Sequence, residues 1–304
     1  MGITSYAQNF EDVILWRALG DISGGFYVDV GAHDPIADSI SKAFYERGWR
    51  GIHIEPQDEF AQRLRQDRPE DRIIQAIVSD VPGPVTFFEV PDGKGLATAS
   101  PEIAAAHAQL RGYHVKQTVT IAVTLDEVLK QAPNNIVHWL KIDVEGFEAQ
   151  VLKGWHSDCR PWVIVIEATA PLEQTSSHEE WESLILEKDY DLVYQDGLNR
   201  FYLHQSHKER TPAFRYPPNV HDGFDVRSGG MTKGLRAELG NAANIANMLM
   251  KELTNARQYA EEMRQDLDNH RRISDALLSH LDAVKSEFEA LRQKVRDMDE
   301  PQNS

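Results

Sequence analysis

The side chains best placed to do chemistry are carboxylates at the ends of apolar runs. Asp143 closes Val137-His138-Trp139-Leu140-Lys141-Ile142, Glu145 follows two residues later, Glu148 lies one helix turn on, and Glu167 closes Pro161-Trp162-Val163-Ile164-Val165-Ile166. If both runs are neighbouring strands, their acids converge at one sheet edge. Two or three such oxygens suit Mg²⁺, a hard cation that takes few protein ligands. Asp143 and Glu167 are therefore candidates to bind a divalent cation or to position an acceptor, with Glu145 or His33 as the general base. The plainer alternative has Asp143 touching only a cofactor amine, Glu145 capping the next helix and Glu148 facing water.

A second signature lies nearer the N-terminus. Phe26-Tyr27-Val28-Asp29-Val30 is rich in β-branched and aromatic residues, follows Gly24-Gly25, and reads as a buried strand. Gly31 at its end lets the backbone turn and approach a ligand. Glu55, 24 residues on, ends a second strand over Gly51-Ile52-His53-Ile54 and suits both hydroxyls of an adenosine ribose. Alone, this pair fits a nicotinamide or another nucleoside-like cofactor. The loop Gly31-Ala32-His33-Asp34-Pro35 lacks the second and third glycines that seat a pyrophosphate. A cofactor with ribose and adenine but no phosphate fits better, and S-adenosylmethionine is the common one.

Val28-Asp29-Val30-Gly31-Ala32-His33, taken with Lys141-Ile142-Asp143-Val144-Glu145-Gly146-Phe147-Glu148, resembles the FkbM-type methyltransferases over roughly Ser5 to Leu203. The resemblance implies a class I methyltransferase fold: a Rossmann-like, mostly parallel seven-stranded sheet with a terminal antiparallel hairpin. It also implies S-adenosylmethionine as donor and a hydroxyl acceptor on a sugar or bacterial polysaccharide. The donor is then expected against Asp29, Gly31, Ala32, His33, Glu55, Pro56 and Asp143, with Gln8 closing over it or simply facing solvent from a helix. By position, Ala76, Ile77 and Ser79 line the adenine. His33 and Pro35 depart from the Gly-Ala-Asn loop of many members, which puts contacts to the methionine end in question.

The positioning elements read as follows. Phe10, Val13 and Ile14 have helical spacing from Ser5 onward. Helices are expected over 39–47, 58–66, 101–110, 125–131, 146–153 and 178–188, with Thr124 and Glu127 as a capping box. A third central strand is expected over 72–79, two further strands over 85–89 and 119–123, and a hairpin from 192–194 and 200–203 around Asp196-Gly197. Asp92-Gly93-Lys94-Gly95-Leu96 matches no phosphate loop and reads as a turn or a mobile loop on the acceptor side. A base N-methyltransferase would want Asn/Asp-Pro-Pro-Tyr after the fourth strand, where this chain has Asp143-Val144-Glu145-Gly146. Tyr216-Pro217-Pro218-Asn219 is too far away to replace it.

With 304 residues and 41% hydrophobic content the chain can bury a core, and all six tryptophans precede residue 200. A net charge of −16 argues against nucleic acid as a partner. The lone Cys159 excludes an internal disulfide, fits a cytosolic setting and reads as a packed thiol. No apolar run approaches the roughly 20 residues needed to cross a bilayer. Met1-Gly2 begins like a myristoylation site, but Tyr6 stands where Ser or Thr is needed.

Three segments are expected: a methyltransferase domain over 1–210, a wrap-around segment and linker over 211–233, and a coiled coil over 234–300. Apolar residues recur with 3-4 spacing from Leu235 and Leu239 to Val295 and Met298, interrupted by His270 and Ser274. Taking Leu239 as heptad position a pairs Glu252 with Arg257, Asp266 with Arg271 and Glu287 with Arg292 across a parallel homodimer. The other arrangements are a helix folded back on the domain or paired with another protein. The tail is expected to hold the enzyme beside a glycosyltransferase or at a fixed distance from a membrane assembly. The competing function is a methyltransferase-like scaffold that binds no donor and acts through the coiled coil.

Overall fold

The computed structural model describes residues 2–91, 93, 95–169, 178–227 and 230–299. Met1 of the myristoylation motif and Asp92 and Lys94 of the glycine-bearing loop lie outside them, as do the side chains of Leu235, Leu239, Ala242 and Met298 in the tail. The chain divides into two units between Lys233 and Gly234.

In the first unit, the elements run β1 (Thr4–Ser5), α1 (Glu11–Leu19), β2 (Phe26–Val30), α2 (Ile40–Glu46), β3 (Arg50–Ile54), α3 (Asp58–Asp67), β4 (Arg72–Ile74), β5 (Ile77–Val78) and β6 (Gly83–Glu89). There follow α4 (Pro101–Arg111), β7 (Lys116–Val123), α5 (Leu125–Leu129), β8 (Trp139–Ile142), α6 (Glu148–Lys153), β9 (Val163–Glu167), α7 (Glu182–Leu186), β10 (Tyr190–Gln195), β11 (Asn199–His204) and β12 (Asp225–Val226). The capping box is present: Thr124 Oγ1 accepts from the Glu127 N–H, and Glu127 Oε2 accepts from the Thr124 N–H.

The main sheet has seven strands in the order β10-β11-β9-β8-β2-β3-β4. It is mixed: β4, β3, β2, β8 and β9 run parallel, whereas β11 is antiparallel to both β9 and β10. Alternation along each strand gives the sheet two apolar faces. Val28, Ile52, Leu140, Ile142 and Ile164 pack on one side, while Tyr27, Trp139, Val163, Val165 and Phe201 pack on the other with α1 and α2.

Several expectations are corrected. The single strand over 72–79 is two: β4 ends the main sheet, and after Gln75-Ala76 the chain crosses to pair Ile77-Val78 with Ala122-Val123 in a separate sheet of order β5-β7-β6. One continuous apolar run cannot signal a change of partner. Gln8 is not on a helix, because α1 starts at Glu11. The fully buried Asp12 carboxylate accepts from Ser5 Oγ, Tyr6 N and Ala7 N, which bends the preceding segment into a loop. The helix over 178–188 is a 3-10 turn, His178–Glu180, followed by the shorter α7.

Residues after β11 are bound back to the domain. Arg17 on α1 donates to the Ala213, Tyr216 and Pro217 carbonyls and forms an ion pair with Asp222, and β12 pairs in parallel with β1. The described residues of the second unit are helical, part of α8 (Gly230–Asp299). Among the described residues no helix is long and apolar enough to cross a membrane.

Candidate active site

Strand register assembles the site. Asp29 sits beside His53 on β3 and beside Lys141 on β8, and Lys141 beside Val165 on β9. Two residues further along those four strands come Gly31, Glu55, Asp143 and Glu167. Side chains two apart share a sheet face, so this set forms a second row at the carboxyl edge, directly above the first. The upper row borders a cleft of about 970 Å³.

The lower row is a buried chain of charge. Lys141 Nζ lies 3.1 Å from Asp143, 3.8 Å from Asp29, and donates to the Gly31 carbonyl at 3.2 Å. His53 lies 3.6 Å from Asp29 through Nδ1 and 2.9 Å from Asp71 through Nε2. Burial alone would discharge these groups, but the neighbours win. Against its own burial, Lys141 is held well above its ordinary value by Asp143 and Asp29. Asp29 is likewise held below the usual carboxylate range by Lys141 and His53, and His53 is raised by Asp29 and Asp71.

The upper row makes the walls. Gly31 has φ +79°, and a Cβ there would collide with the Asp143 carbonyl oxygen, so only glycine fits between β2 and β8. The Glu55 carboxylate accepts from the His33 and Gln57 backbone N–H groups at 2.9 and 2.8 Å, and burial pushes its pKa up to about 7. Beside it, the His33 ring packs 3.9 Å from Phe60, and its buried Nε2 has no hydrogen-bond partner among the described residues.

At the other end, Asp143, Glu145 and Glu167 each bring a carboxylate oxygen within 4.8 Å of the other two. The loop that delivers Glu145 is strained: Glu145 has φ +52° and Gly146 φ +83°. Three bonds hold it there. Thr98 Oγ1 donates to the Glu145 carbonyl at 2.9 Å, and Glu148 accepts from the Val144 and Gly146 N–H groups at 3.3 and 3.1 Å. Glu148 is thus buried under the loop rather than facing water. Burial and the neighbouring Asp143 raise both Glu145 and Glu167. Glu145 and Glu167 are thereby biased toward their protonated forms.

The cleft therefore brings together Gln8, Gly31, Ala32, His33, Glu55, Pro56, Ala76, Ile77, Asp143, Glu145 and Glu167. Two expected residues lie elsewhere. Asp29 is beneath the floor, because it occupies the lower row. Ser79 follows the crossover into the small sheet, where its N–H donates to Val123 and its hydroxyl to Asp80. Lys141 and Thr98 also support the site. Lys141 was legible, since it stands two residues before Asp143 on one strand; Thr98 was not, because nothing local links it to Glu145.

The residues present fit a nucleoside bearing a charged amino acid. Gly31 lets the backbone approach, Glu55 offers carboxylate oxygens, and Pro56, Ala76 and Ile77 supply apolar surface. The unpartnered His33 nitrogen is a polar atom that a ligand could satisfy. In comparisons with known proteins, the family description "Methyltransferase FkbM domain" matches residues 29–192. No curated protein matched the chain.

Proposed function

Because the chain belongs to the FkbM methyltransferase family, we propose that it moves a methyl group from S-adenosylmethionine to a hydroxyl of a sugar or glycan intermediate. The fold is read as class I, with β11 as the antiparallel strand of its terminal hairpin. The observation that carries this reading is the continuous row Glu55, Gly31, Asp143 and Glu167 along one cleft, with Glu145 beside its acceptor end. When bound, the sulfonium donor supplies an electrophilic methyl group open to in-line displacement.

The chain's own residues do the rest. Glu55 is the group for the ribose hydroxyls, Pro56, Ala76 and Ile77 flank the adenine, and Gln8 borders the opening. Ala32 and His33 shape the loop over the donor's amino-acid end. Asp143, steadied by Lys141, faces the donor amine and orients the acceptor. Glu145, in its carboxylate form, takes the acceptor proton, and His33 is the second candidate base. Asp143 and Glu167 are also the residues that would hold Mg²⁺, whose contribution is that of a Lewis acid for a hydroxyl.

The reading is tested by titrating S-adenosylhomocysteine into the full chain by calorimetry, with Glu55→Gln alongside. Micromolar binding that weakens at least tenfold in the variant is expected, followed by methyl transfer to a member of a panel of nucleotide sugars and oligosaccharides. Chelator sensitivity reversed by Mg²⁺ tests the cation separately. A folded wild type that binds no S-adenosylhomocysteine overturns the enzyme reading and leaves the scaffold.

A further inference from the structure

The long helix presents an apolar stripe along its described residues. Leu253, Met263, Leu267, Leu281, Phe288 and Leu291 all fall at a or d positions of one heptad register, and each is between 48% and 70% exposed. Such a stripe on a regular helix is the seam of a coiled coil before its partner arrives. The flanking positions say which partner. Position e reads Arg257, Arg264, Arg271, Lys285 and Arg292, whereas the charged g positions are mainly acidic, with Glu252, Asp266 and Glu287.

We infer that α8 pairs with α8 of a second copy of this chain, in parallel and in register, as a two-stranded coiled coil. In that arrangement each g residue meets the e residue five places on in the other copy. Glu252 then faces Arg257, Asp266 faces Arg271, Glu287 faces Arg292, and the Tyr259 ring lies beside the Arg264 guanidinium. None of those seven charged residues forms an ion pair within its own chain among the described residues, so all are available to the second copy. An antiparallel pair would instead set e against e, placing five cations along one edge.

The interruption of the seam fits the same register. His270 and Ser274 are polar core residues, and at that level the flanks turn apolar, with Ile273 at g facing Leu278 at e. The His270 Nδ1 lies 2.8 Å from the Asp266 carbonyl of its own helix, so that ring nitrogen enters the seam already satisfied. Two adjacent polar layers in a long apolar seam select register, because a one-heptad shift buries His270 and Ser274 against leucine or methionine.

The test uses the full chain. Light scattering coupled to gel filtration is expected to give twice the chain mass of 34.5 kDa. Leu253→Cys and Phe288→Cys, made separately, are each expected to form a disulfide-linked dimer under mild oxidation, while the wild type with only the buried Cys159 does not. Only a parallel, in-register pair brings both positions to themselves, because an antiparallel pair has a single self-facing point. Reversing Arg257, Arg271 and Arg292 to Glu should weaken self-association at least tenfold, and mixing with a Glu252→Lys, Asp266→Lys, Glu287→Lys chain should restore a dimer. A monomer at tens of micromolar, a trimer, or crosslinking at only one position overturns the inference. None of these outcomes bears on donor binding, which is measured separately.

Discussion

Replacing Lys141 by Met tests whether the buried charge row supports the cleft. Lys141 and Asp29 have side chains only 11% and 2% exposed, so solvent cannot take over the missing charge. Removing one partner of a buried pair costs about 3–5 kcal/mol. His53 still stands 3.6 Å from Asp29, which favours the lower end, about 3 kcal/mol at pH 7. For a domain of this size that is a fall in Tm of about 6–12 °C. The pH dependence has a definite sign. In the wild type Asp29 is held low, so its contribution is fully present above the unfolded value of about 3.9 and is lost only as pH falls below it. In the variant burial dominates, the Asp29 pKa rises, and its penalty is relieved by protonation as pH falls. The gap between wild type and variant should therefore narrow at pH 5. Guanidinium unfolding followed by tryptophan fluorescence at pH 7 and pH 5 measures it. A loss under about 1 kcal/mol, or a gap that does not change with pH, refutes the buried-pair account.

Two other outcomes follow from the same geometry. Gly31→Ala should cost at least about 2 kcal/mol and abolish S-adenosylhomocysteine binding, since the methyl group meets the Asp143 carbonyl at a positive φ; unfolding midpoints and calorimetry check this, and a stable variant that binds would contradict the packing. Buried Glu11, Glu55 and Glu148 are each raised to about 7, and Asp12 to about 6, chiefly by desolvation. A carboxyl raised on folding is more protonated in the native state, so stability is greatest at or below the unfolded value near 4 and declines as pH rises toward 7. Unfolding free energy should be lower by at least about 2 kcal/mol at pH 8 than at pH 5.5, and a flat or rising profile would sink the idea.

Much of the fold was legible because it is local. The β-branched run ending at Gly31, the capping box at Thr124 and Glu127, and the hairpin around Asp196-Gly197 each depend on neighbours a few residues away. Where partners change inside an apolar run, local pattern is silent. Residues 72–79 look like one strand, and only the position of Ala122-Val123 shows that Ile77-Val78 belongs to another sheet. The spacing of Phe10, Val13 and Ile14 predicts a helix that includes Gln8, but the bonds to Asp12 that end the helix at Glu11 come from the preceding loop.

For the site, residue type and strand position pointed to Gly31, Glu55, Asp143, Glu145 and Glu167, since acids and glycine at the ends of buried strands have few purely structural uses. Sequence by itself also carries the 3-4 apolar spacing of the tail, a property of one stretch of chain and its period. Tertiary structure alone decided the division between the two rows of the sheet. Asp29 and Gly31 are two residues apart and share a face, yet one is buried beside Lys141 and the other borders the cleft. That difference depends on cross-strand register, which is set by the packing of the whole sheet rather than by any short stretch of chain.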